Sequence, residues 1–545
     1  MANFLLIAFS ILFGGIFAYK PLLCMAKAGD KTAEMKKYQS EFILAGIIII
    51  GCLARTVFLE FFPYGLNQDE ASIGYEAFSL ANYGVDRNGL SYPIHFISWG
   101  SGQNALYAYI AIPFVKVLGL SVLSTRLPMA IIGCVSIYVF YFLAKQLMPK
   151  HAVFATFFFA ISPWHIEKSR WALESNIFPD IFLLGVLLLV LAINGKKYCY
   201  FLSGLVFAIS TYSYGTSYFI LPIFCVATLI ILLSKRKISL LDCTNLMATI
   251  AILSLPMIIF VLLNYSSYES IEFFGVTIPK LYQNRQTFIF NLDGTFFTSI
   301  FANFKTAIGI IFTQYDGLVW SGMPFFGVAY AILSPFFVFG VYKSIREKDD
   351  CEIPMQVWLF TSILMMFFIE ANINRSNILF IPLIYFTAKG ITPLLDKKVL
   401  GKHATKIVAL CLCVLFFAFS SCYFGREHQE SLSFQFFAGA GDAMVSANEN
   451  FESVYVTSSI NEPYITYLFY MQISPYEYLE TREVYNPDES FEYISSINNF
   501  TFFDIDPDDL QENECYIAFS YNESDIDQSV FNIEYFGEFI IISKK

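Results

Sequence analysis

Runs of about 20 apolar residues recur along this chain and limit its fold more than any other sequence feature. A run of that length matches the hydrocarbon thickness of a bilayer, so each run predicts a membrane-spanning helix. Hydrophobic residues make up 56% of the 545 residues, whereas charged residues make up only 14%. The first run, residues 4–17, lacks a basic start and a small-residue cleavage site, so we expect a retained helix.

The basic residues are concentrated in short segments, at 20–37, 145–150, 196–197, 235–237, 343–348 and 397–406. Because cytoplasmic loops are enriched in Lys and Arg, we expect all of these segments on the cytoplasmic side. Fitting spans between them gives about 12 helices without a conflict of sidedness, at 3–19, 41–61, 127–147, 152–165, 177–193, 200–215, 217–233, 246–263, 325–342, 354–370, 377–391 and 406–424. The N-terminus, residues 62–126 and everything after about residue 425 are then outside.

The chain is therefore predicted to be an α-helical polytopic membrane protein with a small C-terminal α/β domain outside the membrane. Residues 1–424 form the transmembrane domain, whose first outer loop is 62–126, and residues 425–545 form the extracytoplasmic domain. Interfacial helices are predicted near 104–118 and 296–312. In the tail, the apolar pattern predicts strands at 454–457 and 516–519, helices at 436–447 and 464–471, and a hairpin around 535–537.

Two adjacent carboxylates, Asp69 and Glu70, follow the predicted span 41–61. Charged groups at a membrane are costly to desolvate, so this pair indicates a general base or a cation site. Further ionisable residues occur in the same loop and in the later outer segments, namely Asp86, Arg87, His95, Arg126, His165, Glu167, Lys168, Arg170, Glu174 and Arg375. Polar groups at one membrane face beside apolar walls suit a polar head group carried on a lipid tail.

Other classes of function are disfavoured by the composition. The 11 cysteines lie mostly in predicted spans or cytoplasmic loops and include no CxxC pair with metal-ligand spacing, so we expect no disulfide framework. The net charge is −11 and no basic stripe is present, so no nucleic-acid partner is expected. The sparse use of outer cysteines and the short loops favour a bacterial plasma membrane.

Several motifs around the acidic pair resemble those of the C-type membrane glycosyltransferases. Residues 69–77 read Asp-Glu-Ala-x-x-Gly-Tyr-x-Ala, residues 83–89 read Tyr-Gly-x-Asp-x-x-Gly, and residues 119–128 read Gly-x-Ser-x-x-x-x-Arg-Leu-Pro. Residues 162–174 are similar to the second outer loop of the protein O-mannosyltransferase-like branch, which includes the aminoarabinose transferases that modify lipid A. The resemblance is good over residues 40–195.

The resemblance extends more loosely to about residue 395, and the tail matches only as an outer domain. One departure from the family pattern is Ser101-Gly102-Gln103-Asn104, which stands where members often carry His-Pro-Pro or Lys-Pro-Pro. The acceptor contacts of this chain are therefore expected to differ from those of the protein mannosyltransferases.

The resemblance implies transfer of a sugar from a polyprenyl-phosphate donor to an acceptor hydroxyl on the outer face. Asp69 would be the general base, since a hydroxyl is a weak nucleophile until its proton is removed. Glu70 would assist catalysis by orienting Asp69 or holding a cation. The alternative for Glu70 is an ion pair with Arg126 or Arg87.

The remaining candidate residues would bind substrate. Arg126 and Arg375 are predicted to hold the leaving phosphate, because guanidinium groups match its charge and geometry. Glu174 would be the second-loop carboxylate, positioned by Arg170, and Asp86 and Gln103 would contact substrate. The alternatives are an interfacial anchor for Arg126, a helix-surface ion pair between Arg170 and Glu174, and an Asx turn at Asp86.

No cofactor is expected, although a divalent cation at Asp69 and Glu70 stays an open alternative. The expected partners are a polyprenyl-phosphate sugar, membrane lipid, and an acceptor that is a protein, a lipid or a cell-wall glycan. Two other functions stay open as alternatives. A polar-lipid transporter should show internal repeats and broken helices, and neither is evident in the sequence. A cell-envelope scaffold would act through the outer tail.

Overall fold

The structure is a computed structural model that describes residues 2–27, 35–99, 102–281, 296–396, 403–487 and 492–545. Ser101 of the departing motif and parts of two predicted basic segments, 28–34 and 397–402, lie outside the described residues.

Helices make up most of the chain as far as residue 423. They are α1 (Ala2–Gly14), α2 (Ile16–Lys27), α3 (Gln39–Thr56), α4 (Gln68–Tyr83), α5 (Leu106–Leu118), α6 (Val122–Leu147), α7 (Ala152–Ala160), α8 (Pro163–Ser169), α9 (Glu174–Ile193), α10 (Cys199–Ser210), α11 (Ser217–Ser234), α12 (Leu240–Leu253), α13 (Leu255–Asn264), α14 (Phe296–Thr313), α15 (Ser334–Glu347), α16 (Ile353–Phe368), α17 (Phe380–Asp396) and α18 (Ala404–Tyr423). Two short ribbons, β1 (His95–Phe96) with β2 (Gln103–Asn104) and β3 (Ile271–Phe273) with β4 (Val276–Ile278), lie between helices.

The predicted multi-span architecture is confirmed. Among the described residues, eight helices are long and apolar enough to cross a membrane, namely α3, α6, α9, α11, α14, α16, α17 and α18. Two bent pairs, α1–α2 at 67° and α12–α13 at 55°, raise the number to ten if each pair is one span. The predicted interfacial helix near 296–312 is α14, which is itself long and apolar enough to span.

The bent pairs differ from the sequence analysis, which found no broken helix. In the second pair the bend follows Ser254, and Pro256 stands in the first turn of α13. Proline has no N–H and its ring clashes with the preceding turn, so it begins a helix readily but interrupts one that is under way. The first pair bends at Gly15, where helix propensity is low.

The basic loops meet at one end of the bundle. Lys235 and Lys237 place their Nζ atoms 2.7 and 3.2 Å from the carboxylate of Asp350. Lys150, which follows α6, pairs with Asp396 at the end of α17. Because α6 has 26 residues, its two ends are roughly 39 Å apart, so the acidic pair and the basic loops lie at opposite ends.

The tail folds as the sequence predicts, into an α/β arrangement. Its elements are α19 (Arg426–Gln435), α20 (Ala440–Asn450), β5 (Ser453–Val456), α21 (Pro463–Met471), α22 (Pro475–Thr481), β6 (Glu483–Val484), β7 (Ile494–Ile497), β8 (Phe500–Thr501), β9 (Glu514–Phe519), β10 (Phe531–Phe536) and β11 (Phe539–Lys544). The strands form one mixed sheet in the order β10-β11-β9-β5-β8-β7-β6. β5 runs parallel to β8 and β9, and β10–β11 is the predicted final hairpin.

The tail shares a hydrophobic core with the first outer loop. Ile73 and Tyr75 of α4 are fully buried in the same cluster as Ile465 and Phe469 of α21. The hydroxyl of Tyr75 also donates to the Ile473 carbonyl at 2.9 Å. The C-terminal residues therefore cover α4, the helix that carries the acidic pair.

Candidate functional site

Helix α4 begins at the acidic pair and is capped at both ends. The side chain of Asn67 accepts a hydrogen bond from the backbone N–H of Asp69 at 3.0 Å, and the helix ends at Gly84 with φ of 73°. Carboxylates in a first turn are favoured by the helix dipole. Adjacent residues point about 100° apart around a helix, so Asp69 and Glu70 face different surroundings.

Glu70 forms a fully buried ion pair with Arg126. The guanidinium donates to both oxygens of Glu70, at 2.9 and 2.8 Å, and to the carbonyls of Pro63 and Gly65 at 2.8 and 2.7 Å. Glu70 also accepts from the Ala172 N–H at 2.9 Å. This geometry supports the ion-pair alternative for Glu70. Arg126 is buried, so it is not exposed as an interfacial anchor. Its guanidinium nitrogens are directed at Glu70 and at backbone carbonyls rather than at a phosphate.

Asp69 interacts with a second carboxyl group. It is partly exposed and lies close enough to Glu174, the first residue of α9, for the two groups to interact electrostatically. The side-chain amide of Gln103, on β2, donates to Glu174 Oε2 at 3.3 Å. Three predicted site residues from separate outer segments thus come together.

Gln103 is the first residue of a buried chain of hydrogen bonds. The Ser72 hydroxyl donates to Gln103 Oε1 at 2.9 Å and accepts from Arg87 Nη1 at 3.0 Å. Arg87 Nε lies 3.3 Å from Glu76 Oε1, and the Arg87 backbone N–H donates to Glu76 Oε2 at 3.0 Å. Burial raises the pKa of Glu76 to about 8, although Arg87 opposes the rise. Ser72 and Glu76 were missed by the sequence analysis.

Asp86 forms the Asx turn that was the alternative to a substrate contact. Its Oδ1 accepts from the backbone N–H groups of Asn88 and Leu90, each at 2.9 Å. Burial raises the pKa of Asp86 to about 6, against these hydrogen bonds and the Arg87 charge. The turn sets the position of Arg87, and Asp86 itself is buried.

Arg170 does not position Glu174 in the described structure. Its guanidinium donates to backbone carbonyls at and beyond the end of α3, including Ala54 at 3.1 Å, Val57 at 2.9 Å and Phe62 at 3.0 Å. The four-residue spacing gives no helix-surface pair, because α8 ends at Ser169 and α9 begins at Glu174. Arg170 therefore caps orphan carbonyls of α3.

A buried triad that the sequence analysis did not assemble holds the second outer loop to the bundle. Arg55 Nη2 donates to His165 Nδ1 at 2.8 Å, and His165 Nε2 donates to Asp180 Oδ1 at 3.0 Å. All three residues are buried, on α3, α8 and α9. The sequence signal for this triad was a charged residue inside each of two predicted spans, namely Arg55 in 41–61 and Asp180 in 177–193.

The turn that carries Arg375 lies beside the start of α9. Asn377 Nδ2 donates to Asn176 Oδ1 at 3.0 Å, and Lys168 Nζ donates to Asn374 Oδ1 at 2.8 Å. Arg375 Nη1 lies 3.0 Å from the carboxylate of Glu370, whose side chain is 87% exposed. Of the three predicted positioning or phosphate-binding arginines, Arg375 alone has an exposed counterion that a phosphate could replace.

The described residues contain no preformed cluster of metal ligands. Within the described ranges, no group of three or more His, Cys, Asp and Glu side chains converges on a metal position. Both oxygens of Glu70 are occupied by Arg126 and the Ala172 N–H, which leaves two carboxyl groups, Asp69 and Glu174. Because Mg²⁺ is commonly held by one or two carboxylates together with substrate phosphates and water, a divalent cation beside Asp69 stays an open alternative.

Glu167, on α8, is a buried acid. Neither of its oxygens has a hydrogen-bond partner in the described structure. Burial raises its pKa to about 8, while burial lowers the pKa of the neighbouring Lys168 to about 8. A carboxyl with a raised pKa holds its proton more tightly in the folded state, so the stability it contributes is present at low pH and lost as pH rises to about 8.

We expect Glu167→Gln to remove this pH dependence, because glutamine keeps the shape of the protonated acid and does not ionise. The variant should unfold at a higher temperature than the wild type at pH 9, and the difference should shrink as pH falls towards about 5. Thermal unfolding across that range tests this, with the exposed acid variant Glu427→Gln as the control. Wild-type and Glu167→Gln curves that stay parallel would contradict the expectation.

The bundle, the outer loops and the covering tail together define a membrane protein with the fold of the C-type glycosyltransferases. The solved structures it resembles include ArnT from Cupriavidus metallidurans bound to undecaprenyl phosphate, with a TM-score of 0.53 and 10% identity over 92% of this chain and 97% of that one. They also include the apo oligosaccharyltransferase of Archaeoglobus fulgidus, with a TM-score of 0.52 and 12% identity over 80% of this chain. The match spans 64% of the oligosaccharyltransferase. No family model and no curated protein sequence matches the chain.

Proposed function

We propose that this chain transfers a sugar from a polyprenyl-phosphate donor to an acceptor hydroxyl at the outer face of a bacterial plasma membrane. The observation that carries the proposal is the juxtaposition of Asp69 and Glu174 at the end of the bundle away from the basic loops. The fold supports the reaction class, because ArnT bound to undecaprenyl phosphate shares it over 92% of this chain. The C-terminal residues are then extracytoplasmic.

Asp69 is the general base of the proposed reaction. Its carboxylate takes the proton of the acceptor hydroxyl as that oxygen bonds to the anomeric carbon of the sugar, and the bond from that carbon to the donor phosphate breaks. The phosphate leaves with the bonding electrons. Glu70 is buried against Arg126, whereas Asp69 is partly exposed at the helix end, where an acceptor can approach it.

Glu174 and Gln103 complete the substrate side of the site. The Gln103 amide orients Glu174 through the 3.3 Å hydrogen bond, and Glu174 then accepts from a hydroxyl of the sugar or of the acceptor. The charge of the leaving phosphate needs a cation. Arg375 supplies it by exchanging exposed Glu370 for a phosphate oxygen, since a guanidinium binds phosphate in a forked geometry.

We expect Arg375→Ala to weaken donor binding by about 10- to 100-fold, because hydrogen bonds to charged groups contribute about 1.5–3 kcal/mol. Undecaprenyl phosphate carries the phosphate of such a donor, so its Kd, measured by titration in nanodiscs, reports on this contact. The KM for the acceptor should change less than that Kd. Arg426→Ala is the matched control, because Arg426 also pairs with a glutamate, Glu430, but lies exposed on α19. Equal losses for donor and acceptor would count against a phosphate contact.

The function is tested with the purified protein in nanodiscs and radiolabelled polyprenyl-phosphate sugars, with and without a membrane extract as the acceptor source. Loss of label from one donor that depends on the extract, and that Asp69→Asn abolishes, would identify the sugar. Partition of the product among protein, lipid and cell-wall glycan would identify the acceptor. Unchanged label with every donor would refute the proposal.

A further inference from the structure

We propose that Arg87 is a positioning residue of the transfer site and that the C-terminal residues hold it in place. The inference rests on the proposed function for its reaction, but Arg87 and the tail have no part in the mechanism above. They act on the site through Ser72 and Gln103.

The C-terminal residues form one wall around the Arg87 guanidinium. Its central carbon lies 5.0 Å from the ring centroid of Trp99 and 5.9 Å from that of Tyr464, on α21. Trp99 Nε1 donates to the Tyr464 hydroxyl at 3.1 Å, and the Tyr464 ring stacks on Tyr478 of α22 at 6.0 Å. A guanidinium over aromatic faces is attracted to them, more strongly where water is excluded.

The acids that face the guanidinium come from both parts of the molecule. Glu76 of α4, Asp86 of the adjoining turn and Glu462 of the tail all interact electrostatically with Arg87. Arg87 is itself 2% exposed. One buried cation thus links α4, the following loop and the tail, so displacement of the tail changes the surroundings of Arg87 directly.

Arg87 fixes the direction of the hydrogen-bond chain that ends at Glu174. A guanidinium has donors and no acceptor, so the oxygen of Ser72 must accept from Arg87. The single hydroxyl proton of Ser72 then goes to Gln103 Oε1, which turns the NH₂ group of Gln103 towards Glu174. Without Arg87, the Ser72 hydroxyl and the Gln103 amide lose this constraint, and Glu174 loses its fixed donor.

A lysine cannot reproduce this arrangement. Arg87 Nη1 donates to Ser72 while Nη2 donates to Ser98 Oγ at 2.7 Å, and Nε faces Glu76. These contacts use the planar fork of the guanidinium, whereas an ammonium group is a compact point charge. Arg87→Lys therefore keeps the buried positive charge and removes the geometry.

The test compares Arg87→Lys, Tyr464→Leu and Tyr464→Phe with the wild type, in the full chain in nanodiscs. We expect kcat to fall by about 10- to 100-fold in Arg87→Lys and Tyr464→Leu, as for other residues that orient a site through a neighbour. The donor KM should change less than kcat. Tyr464→Phe keeps the aromatic face and should restore most of the loss. Tyr485→Leu, an 80% exposed tyrosine of the same tail, is the matched control.

Wild-type kcat in both Arg87→Lys and Tyr464→Leu would overturn the proposal. A wild type that is inactive with every donor would instead refute the proposed function, and amide hydrogen exchange then decides on Arg87. Faster exchange of the β1–β2 ribbon in Arg87→Lys and Tyr464→Leu than in Tyr485→Leu would support the positioning role. Unchanged exchange in that ribbon would overturn it.

Discussion

We expect Asp69→Asn to lower sugar transfer by about 10²- to 10⁴-fold, while the protein still inserts in the membrane and unfolds as the wild type does. Asparagine has the shape of aspartate but cannot take the proton of the acceptor. The start of α4 should be preserved, because the cap uses the backbone N–H of residue 69 and the side chain of Asn67. The loss should therefore fall on kcat.

Single-turnover transfer with the identified donor measures this effect. Asp442→Asn is a matched control, since Asp442 is an exposed aspartate in the first turn of another outer helix, α20. It should leave transfer unchanged. Wild-type turnover by purified Asp69→Asn would show that Asp69 is not the base.

The second large effect is on stability. Arg126→Met should destabilise the protein by about 3–5 kcal/mol, because it leaves the Glu70 carboxylate buried without its cation. The carbonyls of Pro63 and Gly65 lose their donors in the same change. The double variant Glu70→Met with Arg126→Met should recover part of the loss, because no unpaired charge then remains buried.

Denaturant unfolding in detergent micelles compares these variants. Arg426→Met breaks the exposed pair with Glu430 on α19 and should have little effect on unfolding. If Arg126→Met unfolded at the wild-type denaturant concentration, the buried ion pair would not stabilise the fold. If the double variant were less stable than Arg126→Met, the charge left on Glu70 would not be the cause of the loss.

Most of the spans were predictable because bilayer thickness fixes their length and composition, so a local pattern identifies them. The predicted spans 200–215 and 325–342 were not confirmed, because the helices there, α10 with 12 residues and α15 with 14, are shorter than a span. The tail strands Ser453–Val456 and Glu514–Phe519 were predictable for a similar reason, since strand patterns are also local. Asp69 and Glu70 were identified from the sequence because two adjacent carboxylates are costly to desolvate at a membrane surface. The ion pair of Glu70 with Arg126 was only one of the alternatives, because Arg126 lies 56 residues from Glu70 and no local pattern joins them.

The rest of the site depends on contacts that no local pattern encodes. Arg170 and Glu174 have the spacing of a helix pair, but the chain leaves its helix between them. Gln103 and Glu174 are hydrogen-bonded although 71 residues separate them in the sequence. Arg87 packs against the ring of Tyr464, which belongs to the C-terminal tail. Such contacts depend on how these segments pack against one another. The hydrophobic periodicity of a single sequence predicts helices and strands but not their packing.

The core shared by α4 and the tail has a consequence for biosynthesis. α4 ends at Tyr83 and α21 begins at Pro463, so at about 5–20 residues per second the two are made roughly 20–75 s apart. Throughout that interval the apolar face of α4 around Ile73, which the proposed function places outside the membrane, lacks the tail residues that bury it. A truncated product ending near residue 424 would contain both carboxyl groups of the site. We expect it to be retained by export chaperones or degraded by envelope proteases.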